Sequence, residues 1–442
     1  MTLIETLEKM NTAVCPCGKE HRFFGEVLSG EGVLNKLPAW LLAKGAKTVY
    51  LLADKHTYSA GGARTESLLA EAGIKVLSHV FDEEALEPNE RSVGSAVMHY
   101  PHAADAIVTV GSGVLNDIGK IVSALTGKPY VIVGTAPSMD GYASDASSMT
   151  RDGLKISLPS RSADLIVGDA DLLASAPARM KLAGLGDMLA KYVSLAEWRV
   201  AHLLVGEYYC EEVAALVRQA LSTCVAHADG LLKGDKNAAL AVFDGLVLGG
   251  VAMKYAGLSR PASGVEHYFS HVWDMRAVSF GTPMDLHGIQ CAVGTLYAAK
   301  MYDKLKMLTP DKEKALASVA SFDYGAWSET LRAFLGKGAE SMIMLEAKEG
   351  KYDKAKHAKR LEDILAHWDE ILAILNEELP AAREIEALLD RLGAPKTASD
   401  IGLSEDIIPL TFRATKDIRD KYVLSRLAFD LGIEQTLLEA LK

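Results

Sequence analysis

Three things are scarce in this chain of 442 residues. The first is cysteine. Five cysteines in a chain of this length do not make a disulfide framework. The second is positive charge. Lys and Arg number 47 against 58 Asp and Glu, a formal net charge of −11. A net negative field repels a polyanion, so no nucleic-acid partner is expected. The third is long apolar sequence. The most apolar stretch, LAVFDGLVLGGVAMKYAG, is broken by Asp244 and several glycines, so no membrane span is expected. Low-complexity tracts and internal repeats are absent too. The opening MTLIETLEKMN has Glu5 and Glu8 where an export signal carries Lys or Arg. The expected compartment is therefore the cytoplasm.

Hydrophobic residues make up 49 % and charged residues 24 %. That is ordinary for a globular protein, and the length suits two domains. From residue 40 to 175, β-branched runs alternate with amphipathic stretches. TVYLLAD (48–54), KVLSHVF (75–81), DAIVTV (105–110), PYVIVGT (129–135) and the start of DLIVGDADLLASAP (164–177) read as strands separated by helices. This rhythm predicts an α/β, Rossmann-like parallel sheet over residues 1–177. Beyond residue 178 the apolar spacing is helical, which predicts an all-helical part over 178–442. A cleft between two such domains is a common ligand site.

Several stretches carry candidate chemistry. In VTVGSGVLNDIGK a Gly111-Ser112-Gly113 turn follows a strand and opens a helix, an arrangement that lets backbone N–H groups approach a phosphate. It is not G-x-G-x-x-G, because position 116 is Asn. Asp54 ends the first clear strand. It suits ribose hydroxyls, which would favour NAD over NADP, and it suits a helix cap equally well. GTAPSMDGYASD (134–145) is a polar loop at a strand's C-terminal end. In GLGDMLAKY, Asp187 is expected in the first turn of a helix. Three of the twelve histidines, His267, His271 and His287, fall between Gly264 and Gly288. His267 and His287 lie twenty positions apart, which suits two facing helices and not one helical face. Cys15 and Cys17 in CPCGKEH, with His21 nearby, are spaced by one residue and lack a second pair. They are expected to form a turn with free thiols.

GTAPSMDGYAS, GLGDMLAKY, GVEHYFSH and DLHG in combination resemble the metal-dependent polyol dehydrogenases of the iron-containing alcohol dehydrogenase and dehydroquinate synthase-like superfamily. Within it they look most like the glycerol-1-phosphate dehydrogenases, including the bacterial AraM-type enzymes. The resemblance covers roughly residues 20–300, and the rest matches only as helical sequence. It implies that Asp187, His267 and His287 hold one divalent metal (Zn²⁺ or Ni²⁺, with Fe²⁺ also compatible) and are the catalytic residues. It implies that Asp140, Asp187 and His271 contact substrate. It assigns the dinucleotide, NAD(H) with NADP(H) as the alternative, to Asp54, to Gly113, Val114, Leu115, Asn116 and Asp117, to Thr135, Ala136, Pro137 and Ser138, and to Ser144.

The reaction so implied is reduction of dihydroxyacetone phosphate to sn-glycerol 1-phosphate by a homo-oligomer. A glycerol or other alcohol dehydrogenase, or a dehydroquinate synthase-like cyclase, is the alternative on the same fold. A non-catalytic nucleotide-binding regulator is disfavoured, because all three candidate ligands are present. Lys155, Lys191 and Arg260 lie beside the motifs as candidates for a substrate phosphate, each equally well read as a solvated surface cation.

Overall fold

The computed structural model describes residues 3–12, 14–152 and 154–442. It forms two compact units: Met1–Met188 with Ala215–Leu258, and Leu189–Ala214 with Ser259–Lys442. Compactness therefore divides the chain elsewhere than at the expected boundary of 177 and 178. Residues 215–258 belong to the first unit.

The first unit contains a parallel sheet of six strands. They are β1 (Glu26–Gly30), β2 (Thr48–Asp54), β3 (Lys75–Phe81), β4 (Ala106–Gly111), β5 (Tyr130–Gly134) and β8 (Leu165–Asp169). Their order across the sheet is β1-β8-β5-β4-β2-β3. Every residue of β4, β5 and β8 is buried, which is why these strands read as continuous apolar runs without alternation. The sheet core gathers Val49, Leu51, Val108, Val110, Val131, Val133, Leu165 and Val167.

Two features were not read from the sequence. β1 is a five-residue edge strand, too short to show a period. The other is an antiparallel hairpin of β6 (Ala146–Arg151) and β7 (Leu154–Pro159), half of whose residues are polar or charged. Asp152 at its turn has φ 54, and Asp-Gly was the hairpin signal available there.

Chain progress reverses between β2 and β4. From β2 the chain moves outward to β3 and then returns to the other side as β4. The crevice at the carboxyl ends of these two strands is the usual ligand position of an open α/β sheet. Asp54 ends β2, and Gly111 ends β4 and leads into α1 (Gly113–Thr126).

Three long helices follow the sheet in sequence, of which Glu211–Leu231 is the middle one and the outer two bear on the site. α2 (Ala178–Val205) starts in the first unit and ends in the second. α3 (Lys236–Ala256) lies in the first unit. By length and composition α3 could cross a membrane, but 78 % of its most apolar window is buried in the structure. The Phe243 ring rests on Gly134 and Gly168, where an added Cβ would lie 2.8 and 2.2 Å from it. α3 is thus a core helix seated on small residues of the sheet.

The second unit is helical among its described residues. It holds α4 (Val265–Phe280) and α5 (His287–Leu305). The residues after 300, which the resemblance matched only as helical sequence, make a core against α4. Val272 packs there with Trp327, Leu331, Phe334, Met342 and Ala414. The C-terminal helices therefore support the helix that carries His267 and His271.

Candidate active site

In the first unit the predicted nucleotide residues converge at the end of β4 and β5. Thr135 N–H donates to Gly111 O at 3.0 Å, which joins the two strand ends. Ser112 precedes α1 without capping it through its side chain. A Cβ on Gly113 would meet Met139 at 3.4 Å, so the 135–140 loop packs directly on the glycine turn. Thr135, Ala136 and Ser138 are buried. Asp54 has a partner already: its Oδ1 accepts from His56 N–H (2.9 Å) and Thr57 N–H (2.8 Å) in a capping box. The cap uses one carboxylate oxygen and leaves Oδ2 for another role.

Asn116, Asp117 and Ser144 are committed within the protein. Asn116 Nδ2 donates to Gly141 O (2.9 Å), and its Oδ1 accepts from Tyr130 Oη (2.9 Å). Lys120, fully buried, donates to Ser144 Oγ (3.1 Å), Gly141 O (3.2 Å) and Ala146 O (2.7 Å) and pairs with Asp117 at 3.0 Å. Burial pushes the Asp117 carboxyl up against the pull of Lys120. Together these groups fix the loop rather than open toward it.

Asp187 is not in a first turn. α2 runs unbroken from Ala178, so Asp187 is a wholly buried carboxylate inside a helix. Gly184 before it serves close approach, as does Gly250 of α3. A Cβ on Gly184 would lie 1.8 Å from Pro137 O, and one on Gly250 of α3 would lie 2.6 Å from Asp140 O. The 135–143 loop is thus pressed between two helix backbones. At that point Asp187 Oδ2 accepts Asp140 N–H at 3.0 Å.

In the second unit the three histidines come together. The rings of His267 and His287 are 5.0 Å apart, and those of His271 and His287 are 6.2 Å apart and stacked. α4 and α5 cross closely at Gly294, where a Cβ would meet Glu266 O at 2.6 Å. His267 Nδ1–H donates to Glu266 Oε1 at 2.8 Å. Ser270 Oγ–H donates to Gln290 Oε1 (2.8 Å), so its oxygen is left to accept from His287 Nδ1–H (3.0 Å). Both rings therefore keep Nε2 as the lone-pair nitrogen, the tautomer a metal ligand needs.

Cys291, one helical turn after His287, adds a thiol 3.6 Å from His287 Nε2. One ligand atom from each of His267, His287 and Cys291 lies within 4.8 Å of the others. Burial raises the Cys291 thiol, but the two imidazoles outweigh it and bring it below its ordinary value. Such a nitrogen and sulfur donor set fits a divalent transition metal.

The sequence of residues 28–177 matches the family described as iron-containing alcohol dehydrogenase. Along most of its length the chain is 29 % identical to glycerol-1-phosphate dehydrogenase (NAD(P)+) of Halalkalibacterium halodurans, over 93 % of this chain and 94 % of that one. It is 31 % identical to the enzyme of the same name from Geobacillus thermodenitrificans, over 68 % of this chain and 76 % of that one. The chain belongs to the glycerol-1-phosphate dehydrogenase family. It is accordingly an oxidoreductase. The family likeness extends well past residue 300, so the expected limit there is corrected. The fold is shared with a probable glycerol dehydrogenase of Sinorhizobium meliloti, at a TM-score of 0.60 and 18 % identity over 95 % of this chain and 98 % of that one.

In this glycerol-1-phosphate dehydrogenase relative, two of the three candidate phosphate cations are not on the surface. Arg260 is fully buried, forked onto Glu207 (Nε to Oε1 2.7 Å, Nη2 to Oε2 2.5 Å) and bonded to Tyr422 O. Lys191 is also fully buried, and its Nζ donates to Ala262 O at 3.3 Å. Only Lys155, on β7, is exposed. Sequence reading missed Glu266, Ser270 and Cys291. The signal for Glu266 was its place beside His267 in GVEH, and for Cys291 its helical spacing of four from His287.

Proposed function

We propose that this protein catalyses the reversible, NAD(P)H-linked and metal-dependent reduction of dihydroxyacetone phosphate to sn-glycerol 1-phosphate. Family membership supports the reading. The observation that carries it is the matched tautomer of His267 and His287, in which Nδ1 of each donates to a buried partner and Nε2 carries the lone pair. Asp187, His267 and His287 hold the metal. A divalent cation there supplies Lewis-acid polarisation of a carbonyl oxygen, and the nicotinamide supplies the hydride.

The chain's own residues do the rest. Glu266 and Ser270 fix the two rings, and the Glu266 carboxylate adds basicity to His267. His271, whose ring stacks 6.2 Å from that of His287, and Asp140 contact the substrate. The N–H groups at Gly113, Val114 and Leu115 receive a dinucleotide phosphate at the N-terminus of α1. Thr135, Ala136, Pro137 and Ser138 line the nucleotide, and Asp54 Oδ2 takes ribose hydroxyls. Asn116, Asp117 and Ser144 act on the nucleotide indirectly, by holding the loop. On this reading residues 1–177 are chiefly nucleotide-binding, and 178–442 chiefly bind metal and substrate.

The test is NADH oxidation by metal-stripped protein, repleted with Zn²⁺ or Ni²⁺. Dihydroxyacetone phosphate is offered beside unphosphorylated dihydroxyacetone. Metal-dependent turnover with strong preference for the phosphorylated ketone is expected. Preference for the free ketone, or no net NADH consumption with either, overturns it.

A further inference from the structure

The segment CPCGKEH lies far in sequence from every residue of the proposed reaction. It sits between the helix Leu3–Thr12 and β1. Two thiols one residue apart were expected to form a turn with free thiols, and the structure gives them a third companion. Cys15 and His21 are buried and Cys17 is half-buried. Gly18, at φ 78, turns the chain back so that its N–H donates to Cys15 O at 3.0 Å. The reversal places Cys17 Sγ 3.3 Å from His21 Nε2. One ligand atom from each of Cys15, Cys17 and His21 lies within 4.8 Å of the others.

The imidazole is set for ligation by its other nitrogen. His21 Nδ1 is 3.2 Å from Tyr255 O, a carbonyl that only accepts. Nδ1 therefore carries the proton, and Nε2 faces the thiols with a lone pair. A backbone carbonyl behind a histidine is the usual outer partner of a metal-ligating ring. The ring also leans on Tyr255, whose hydroxyl donates to Asn11 Oδ1 at 2.9 Å. Asn11 in turn brackets the loop: its Oδ1 accepts Phe23 N–H at 2.8 Å and its Nδ2 donates to Phe23 O at 3.0 Å. The loop is therefore anchored at both ends of the cluster. Two thiols and a lone-pair imidazole, largely buried together, suit a soft or borderline cation far better than a hard one.

We propose that Cys15, Cys17 and His21 bind a structural Zn²⁺, separate from the metal of the proposed reaction. Two thiolates and one neutral imidazole occupy three corners of a tetrahedron, and a further thiolate or a water completes it. Binding releases the two thiol protons and ties the N-terminal loop to α3 through His21 and Tyr255.

The experiment measures zinc content and zinc K-edge X-ray absorption on the full chain, in a Cys291→Val background so that the histidine cluster contributes no sulfur. Wild-type loops are expected to retain one zinc equivalent with sulfur neighbours at about 2.3 Å. Cys17→Ser and His21→Ala are expected to lose that equivalent. Cys224→Ser is expected to keep it, because that thiol donates to Ala241 O at 3.2 Å. His287→Ala is expected to keep it too, so failure of the catalytic-metal reading leaves this result readable. Should Cys17→Ser fail to fold, cobalt substitution of the parent chain replaces it, with thiolate-to-cobalt charge-transfer absorption expected. Zinc bound only through nitrogen and oxygen, sulfur scattering unchanged in Cys17→Ser, or no charge-transfer band would overturn the proposal.

Discussion

The two units hold their candidate groups in place by opposite means. In the first, position comes from atoms that are missing. Gly184 and Gly250 let two helix backbones press on the 135–143 loop, and any side chain there would collide with a carbonyl oxygen. In the second, position comes from side chains that are present. Glu266, Ser270 and Gln290 orient two imidazoles through a chain of hydrogen bonds. A steric device fails abruptly when a methyl group is added. A hydrogen-bonded device loses its effect in steps, one partner at a time. The contrast teaches that a glycine and a glutamate, neither touching substrate, can matter for quite different reasons, and mutation can separate them.

The largest effect should come from removing what the second unit orients. His287→Ala deletes a ligand outright. If the metal supplies several kcal/mol of charge stabilisation, turnover falls on the order of 10³-fold, with bound metal lost in parallel. Elemental analysis beside NADH kinetics checks both, and full metal content with full activity would remove His287 from the site.

Gly184→Ala tests the steric half. The added Cβ would stand 1.8 Å from Pro137 O, a backbone atom with no rotamer to escape into. A loss of about 3 kcal/mol in unfolding free energy is expected, with weakened NADH binding, because the displaced loop carries Thr135 to Ser138. Denaturant unfolding and coenzyme titration read the two effects separately. An unchanged variant would mean that the loop yields freely and that the first unit does not hold its groups by steric contact.

Graded loss is the signature expected in the second unit. Glu266→Gln and Ser270→Ala should each weaken metal binding by roughly 10- to 100-fold while leaving the ligands in place. Competition with a chelator measures this, and repletion at high metal concentration should restore most of the turnover. A loss that excess metal cannot restore would point to a folding role for these residues instead.

What the sequence made legible follows the same division. Strand pattern survives without knowledge of neighbours, so β2 and β3 match their expected bounds of 48–54 and 75–81. The three histidines were legible because their residue type is rare and because the twenty positions between His267 and His287 do not suit one helical face. Asp187 was misplaced into a first turn because Gly184 and Gly186 read as helix breakers. Both lie inside α2, and Gly184 is required by a neighbour 47 positions away, the Pro137 carbonyl that an added Cβ would strike. Lys191 and Arg260 read as surface cations because charge predicts exposure unless a partner is known. The partner of Arg260, Glu207, is 53 residues distant. The Cys15 and Cys17 pair read as free thiols in a turn because spacing alone does not reveal that the turn folds His21 back onto them.

The smallest effect concerns Asp54, which lies at the switch point of the sheet and already has a structural task. Its Oδ1 caps the turn through His56 and Thr57. Asp54→Ala removes cap and charge together, so its expected cost of about 1 kcal/mol does not by itself tell them apart. Asp54→Asn does. The amide oxygen can still accept from the two N–H groups, so stability should hold to within a few tenths of a kcal/mol. The charge that would repel a 2′-phosphate is gone, so if Oδ2 faces the ribose, the ratio of NADPH to NADH efficiency should rise severalfold. Steady-state kinetics with both coenzymes, beside a thermal melt, decides the matter. A shifted ratio at constant stability gives Asp54 two roles, one for each oxygen. An unshifted ratio leaves it a cap alone, and the first unit would then position its ligand entirely through backbone and close contact.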